Sequence, residues 1–331
     1  LPFLHQRVRQ QQSDDARRRL FVAGFASGAA SGVRRIEIKS FSSLPFLFII
    51  PEKQEGTDMR FKTGKIGIAA GIAIAVAVAS WAVQNRADIV AKRNAEALGR
   101  ISALAFDGKF ETAIDEMYRY LQTQKSTAGL QSLDEKAFAD VDERTLNNAM
   151  AAATDAYLPA RSVMESGLVF VERGGFGDGL SVTVLKDGAG TFYIAYRGSD
   201  DVRDVQSDLQ IINGDLPDQF ATAQSVYEDF RQRYPDAKIV LTGHSLGASL
   251  AQLVAAKNPE TAAYTCAPVG TGNIVKREKE LSDTGNVYNL LVKGDAFSNA
   301  LAQTGRSKLV EIKTANGKKQ QPHSVLNCQG R

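Results

Sequence analysis

Apolar positions along this chain gather into short runs separated by glycine, by charge and by stretches with helical spacing. Three runs have the length and the aromatic or β-branched content of buried strands: Thr191 to Tyr196, Lys238 to Thr242 and Asn286 to Val292. Ala248 to Lys257 is helix-like and follows the second run almost directly, and Leu146 to Leu158 reads as the first helix of the same domain. Strands alternating with helices predict an α/β fold with a mostly parallel central sheet. Gly174-Gly175-Phe176-Gly177-Asp178-Gly179 predicts a hairpin or loop, and with no helix directly after it the stretch has no phosphate-binding role.

The chain before this domain has a different pattern. Residues 85–125 read as helices, with Phe110, Ile114, Met117 and Leu121 on one face and Asp107-Gly108 breaking the run before them. Ser126 to Ser132, around Gly129, predicts a linker. Residues 85–132 are therefore expected to form a helical stalk or cap, and 133–331 the main domain. Upstream, Ile66 to Val83 carries no charge and follows basic Arg60, Lys62 and Lys65. A helix of that run would span about 27 Å, close to the thickness of a bilayer core. Residues 59–84 thus read as a signal peptide cut after Ala77-Val78-Ala79, or as an uncleaved anchor. Trp81 at the far end favours the anchor. Either way the domain is expected to be exported, facing the periplasm from a bacterial inner membrane or secreted, with 66–83 as its membrane contact. Residues 1–58 show no sustained period and precede the first methionine, Met59, so they are expected to be a disordered or non-native extension.

Composition narrows the function classes. With 331 residues and 44% hydrophobic content the chain can build a real core. Its net charge of +3 resides in residues 1–58, which hold nine Lys/Arg against six Asp/Glu. The remainder is balanced, so no basic face for nucleic acid is expected. Two cysteines, Cys266 and Cys328, exclude a disulfide scaffold or a cysteine-rich zinc site, and three dispersed histidines argue against a histidine metal cluster. No cofactor is expected. The sequence sets no oligomeric state.

The candidate chemistry centres on Gly243-His244-Ser245-Leu246-Gly247, which lies between a predicted strand and a predicted helix. That context reads as a nucleophile elbow, with the glycines permitting a sharp turn and Ser245 at its apex. A serine hydroxyl needs a base and a group to orient that base. Of the three histidines, His5 lies in the opening segment and His244 sits beside the serine, pointing elsewhere. His323, on a loop after Pro322, is left as the base. The acid is expected at a strand's carboxyl end, where open α/β sheets place their sites, and Asp295 follows the Asn286 to Val292 run there. Asp283 precedes the same run and reads as a turn residue. An oxyanion needs the Leu246 backbone N–H and a second donor. Arg197-Gly198-Ser199-Asp200 ends the strand at Tyr196 and is either that donor loop, through Ser199, or a plain turn.

Tyr196-Arg197-Gly198-Ser199, the elbow through Ala248, Thr265-Cys266-Ala267-Pro268-Val269-Gly270, Gly294-Asp295 and His323-Ser324 together resemble the class 3 lipase family, the fungal triacylglycerol lipase-like α/β-hydrolases, over about residues 145–328. The resemblance implies an α/β-hydrolase fold and hydrolysis of carboxylic esters, often acylglycerols or phospholipids. It implies catalytic Ser245, Asp295 and His323, with oxyanion donors Ser199 and Leu246. The residues after the acid, Asp295-Ala296-Phe297-Ser298, depart from the family's usual Asp-x-Val-Pro, and Cys266 replaces a glycine common before the Ala-Pro pair. Many members carry an amphipathic lid after the oxyanion loop. The matching stretch here, Asp200 to Gln206, is mostly charged, so weak interfacial activation is expected. An exported chain would leave Cys266 and Cys328 either paired, tethering the histidine loop, or as two buried thiols. Two other functions fit the residues: an acyltransferase using the same triad, and a non-catalytic binding module on this scaffold.

Overall fold

The computed structural model describes residues 90–124, 130, 133, 138–160, 164, 166–283, 285–315 and 318–330. The chain divides into two units, Leu1–Gln10 with Ala95–Arg331, and Gln11–Asn94. Of the second unit only 90–94 are described, and they are helical. The extension 1–58 and the signal or anchor segment 59–84, with its apolar run 66–83, lie outside the described residues. Among the described residues no helix is long and apolar enough to cross a membrane.

Seven strands form one sheet in chain order: β1 (Val169–Gly175), β2 (Ser181–Lys186), β3 (Phe192–Tyr196), β4 (Ile239–His244), β5 (Ala262–Cys266), β6 (Val287–Val292) and β7 (Arg306–Val310). The first three pair antiparallel, with β1 and β2 joined by the tight turn at 177–178, and every pairing from β3 to β7 is parallel. This mostly parallel sheet with helices on both faces is the α/β-hydrolase arrangement. A two-residue hairpin, Thr314–Ala315 with Lys318–Lys319, stands apart.

The central strands are buried throughout because both faces are covered. Strand periodicity sorts their side chains into two cores. Phe192, Ile194, Tyr196, Ile239 and Leu241 enter one core, while Tyr193, Ala195 and Val240 enter the other. The first core is covered by α5 (Gln219–Arg233) and α6 (Leu246–Lys257), and α4 (Val202–Ile212) adds Val205 and Ile211. The second is covered by α3 (Glu143–Asp155), which supplies Leu146, Ala149 and Met150. Asp142 caps α3 by accepting the Thr145 N–H at 2.9 Å. The short helices α7 (Gly272–Arg277) and α8 (Ala296–Ala300) link β5 to β6 and β6 to β7.

The helices before the sheet join the first core. In α1 (residues 90–106) Ile101 and Ala105 are buried, and in α2 (Phe110–Thr123) Ala113, Met117 and Leu121. The sequence places Phe110 and Ile114 on the Met117 face; in the structure both are only partly buried. The linker expected over 126–132 lies outside the described residues except for Leu130. Met117 is fully buried, so Met117→Ala removes a core side chain. A loss of about 2–5 kcal/mol is expected, read as a lowered urea midpoint at unchanged m-value for the whole-domain transition.

Candidate active site

Parallel strands bring their carboxyl ends to one edge of the sheet, and the predicted site residues converge there. Ser245 joins β4 to α6 with φ 58° and ψ −127°, a left-handed conformation that is costly for a residue with a side chain. Its neighbours explain how the turn closes. A Cβ at Gly247 would overlap the backbone of Tyr196, and one at Gly243 would overlap the backbone of Gly247. The hydroxyl of Ser245 is thereby held out over the sheet's edge.

His323 Nε2 lies 2.7 Å from Ser245 Oγ, and His323 Nδ1 lies 2.9 Å from Asp295 Oδ2. A carboxylate can only accept, so Nδ1–H donates to Asp295 and Nε2 is left to accept the serine proton. Asp295 follows β6, caps α8 and is fully buried. Its oxygens also accept the N–H groups of Phe297 at 3.1 Å and Ser298 at 3.3 Å. Burial pushes its pKa up, but the nearby His323 and these hydrogen bonds outweigh that and hold the carboxyl below its ordinary value. Asp283, at the opposite end of β6, accepts N–H groups of Gly285 and Gly305 and serves a turn.

The loop after β3 passes directly over the serine. A Cβ on Gly198 would overlap the backbone carbonyl of His244 and the Tyr157 hydroxyl and come within 3.1 Å of Ser245 Cβ, so the position favours glycine. Ser199, the next residue, lines the same cleft as Ser245, and its hydroxyl donates to Asp208 Oδ2 at 2.6 Å. Leu246 N–H is one of those that the start of a helix leaves without an internal partner. Asp208 is buried on α4, and burial raises its pKa to about 7 against the opposing hydrogen bond from Ser199. Asp204 Oδ2 accepts the N–H groups of Asp200 at 2.9 Å and Asp201 at 3.1 Å, so the charged stretch after the oxyanion loop forms a capped first turn of α4.

Two side chains that the sequence did not bring forward tie these loops together. His244 is buried beneath the site. Its Nε2–H donates to the backbone carbonyl of His323 at 3.0 Å, and its Nδ1 accepts the Tyr157 hydroxyl at 3.0 Å. Tyr157 Oη in turn accepts the N–H of Gly198 at 3.0 Å. The base loop, the elbow and the oxyanion loop are thus joined through one neutral imidazole. Burial, then the proximity of His323, lowers the His244 pKa to about 3, so it stays uncharged. His244 was visible in the elbow motif, but Tyr157, beyond the end of α3, carried no signal. Asp208 could have been sought as an acid facing Ser199 from the following helix.

The His323 loop has further restraints. Cys328 is disulfide-bonded to Cys266 at the end of β5. Asn327 donates to the carbonyls of Gln321 at 2.8 Å and Pro322 at 3.1 Å, and the Phe297 ring lies 4.5 Å from the imidazole. A cleft of about 510 Å³ opens above Ser245 and His323, with Phe110, Ile114, Phe297 and Val325 among its walls. Among the described residues no His, Cys, Asp and Glu group could hold a metal ion.

Comparison with known proteins gives a family match and a set of similar folds. The family described as Lipase (class 3) matches residues 218–271, which include the elbow. No curated protein sequence matches the chain. Among solved structures, the Lip2 lipase from Yarrowia lipolytica is 14% identical, with 55% of this chain and 80% of that one covered and a TM-score of 0.36. A triacylglycerol lipase from Penicillium expansum is 14% identical, covering 56% and 86%, with a TM-score of 0.35. The Rhizomucor miehei lipase in its propeptide complex is 15% identical, covering 59% and 80%, with a TM-score of 0.35.

Two outcomes are expected from the buried relay. Tyr157→Phe leaves Gly198 N–H and His244 Nδ1 without their partner, and should lower kcat on a soluble ester about tenfold with a smaller change in KM, since the loss is one of positioning. His244 also affects stability. Its pKa is near 6.5 unfolded and about 3 folded, so its contribution is present above 6.5 and lost as pH falls towards 3. Asp208 runs the other way, because its raised pKa gives stability that is lost as pH rises towards 7. The difference between variants isolates the histidine. His244→Gln should lose less urea-unfolding free energy than the wild type between about pH 7 and about pH 4.5, by the slope of about one proton.

Proposed function

The chain is class 3 lipase-like and of the lipase, ester-hydrolase type; from that premise we propose that it acts as a serine hydrolase with Ser245 as nucleophile. The observation that carries this reading is the unbroken hydrogen-bonded line from Ser245 Oγ through His323 to buried Asp295. His323 Nε2 takes the hydroxyl proton as Oγ attacks the ester carbonyl carbon. Asp295 stays ionised, holds the Nδ1–H tautomer and stabilises the imidazolium that forms. The Ser199 and Leu246 N–H groups bind the oxyanion of the tetrahedral intermediate. The intermediate collapses, the C–O bond breaks, and the leaving alcohol takes the proton from Nε2. A water molecule, deprotonated by the same nitrogen, then hydrolyses the acyl-enzyme and restores Ser245.

The apolar cleft walls suit an acyl chain. Glu111 and Asp115 also line the cleft, and their charge disfavours an anionic phosphate there. Of the two substrate classes that the family resemblance implies, this favours acylglycerols over phospholipids. The capped turn after the oxyanion loop supports weak interfacial activation. The disulfide fits an exported domain, since such bonds persist in oxidising compartments.

Wild-type protein should be labelled by a fluorophosphonate probe and Ser245→Ala should not. Asp295→Asn, which keeps the shape and removes the charge, should lower kcat on a soluble ester by about 10³–10⁴-fold. Undiminished hydrolysis by the Ser245→Ala protein would overturn the assignment. Transfer of the acyl group to added glycerol in preference to water would replace hydrolase with acyltransferase.

A further inference from the structure

We propose that α2, a helix preceding the sheet and outside the family-matched stretch, is the element that sets acyl-chain length, with Phe110 and Ile114 as the side chains that read it. The inference rests on the ester-hydrolase reading above and adds to it the part of the chain that selects the substrate.

Phe110 and Ile114 are four residues apart and so sit one above the other on the helix. Both line the cleft that holds Ser245 and His323. Their half-burial contrasts with the full burial of Ala113, Met117 and Leu121 on the same helix. One face of α2 therefore has two surroundings along its length: Met117 and Leu121 are buried in the core, while Phe110 and Ile114, towards the helix start, pack against that core only in part and also form a wall of the cleft. Phe297, against the His323 imidazole, and Val325 line the same cavity. At about 510 Å³ the space is in the range of sites that take one small ligand, so it accommodates one acyl chain rather than a whole triacylglycerol.

A wall measures length only if it does not move, and α2 is fixed at both levels. Its buried residues Ala113, Met117 and Leu121 belong to the same apolar cluster as Leu241 on β4 and Leu246 at the start of α6, either side of Ser245. Its polar contact is as direct: the Tyr118 hydroxyl donates to the carbonyl of Gly294 at 3.1 Å, the residue immediately before Asp295. The Tyr118 ring packs on Phe297 at 5.7 Å, and Phe297 packs on His323 at 4.5 Å. A helix moored to the acid loop and, through one ring, to the base cannot swing away as a lid without disturbing both. It acts as a stop.

The test is kcat/KM of the full chain on p-nitrophenyl esters from acetate to palmitate, for wild type, Phe110→Ala, Ile114→Ala and Ile114→Trp, read as the ratio of the longest to the shortest ester. The alanine variants should raise that ratio about tenfold and Ile114→Trp should lower it about tenfold, the worth of roughly two methylenes of contact. The change should fall mainly on KM, because neither side chain meets the reacting atoms. Equal loss on every ester, or an unchanged ratio in all three variants that still react stoichiometrically with a fluorophosphonate, would overturn the proposal while leaving the nucleophile assignment standing. Hydrolysis that persists in a Ser245→Ala control would remove both readings together.

Discussion

His323 belongs to no helix or strand, yet its two ring nitrogens must stay within hydrogen-bonding distance of a serine and an aspartate fixed on the sheet. Ordering a loop residue costs about 1–2 kcal/mol of backbone entropy. Within the loop, Asn327 offsets part of that cost by holding the two carbonyls before His323; the rest comes from outside, from Asp295 on the ring, His244 on the carbonyl, Phe297 against the face and the link from Cys328 to Cys266. These restraints come from separate elements, so the geometry of the relay depends on the whole edge of the sheet being assembled.

That edge is a consequence of strand direction. Parallel pairing from β3 to β7 delivers the loop after Tyr196, Ser245 and Asp295 to the same side. The strained backbone at Ser245 and the buried Asp208 are both unfavourable in isolation. They persist because the glycines let Tyr196 and the loop after it approach closely, and because Ser199 satisfies one oxygen of Asp208.

How far the sequence reveals this depends on whether each feature is local. The elbow is local, and its strand, turn and helix follow one another in the chain. Asp295 follows from strand polarity, and with only three histidines His323 follows by elimination. The sheet was read in part. β3, β4 and β6 are buried on both faces and stand out as apolar runs. β1 carries Glu172 and Arg173 on a half-exposed ribbon, and β7 buries only Ser307 and Val310, with Arg306, Lys308 and Leu309 reaching solvent, so neither resembles a core strand. Tyr157 was invisible because its partners, His244 and Gly198, are distant in sequence. The amphipathic face of α2 was plain, but an apolar residue facing a cavity has the same pattern as one facing a core. Only packing separates Ile114 from Met117.

The bond between Cys266 and Cys328 closes a ring whose cysteines are 62 positions apart, and Asp295 and His323 both lie within it. A ring of that size removes about 4 kcal/mol worth of freedom from the unfolded chain. It also gives the protein a tolerance to proteolysis: a single cut anywhere between the two cysteines leaves both fragments attached to one another. Asp295 and His323 can be nicked apart along the backbone and still remain on one molecule with Ser245.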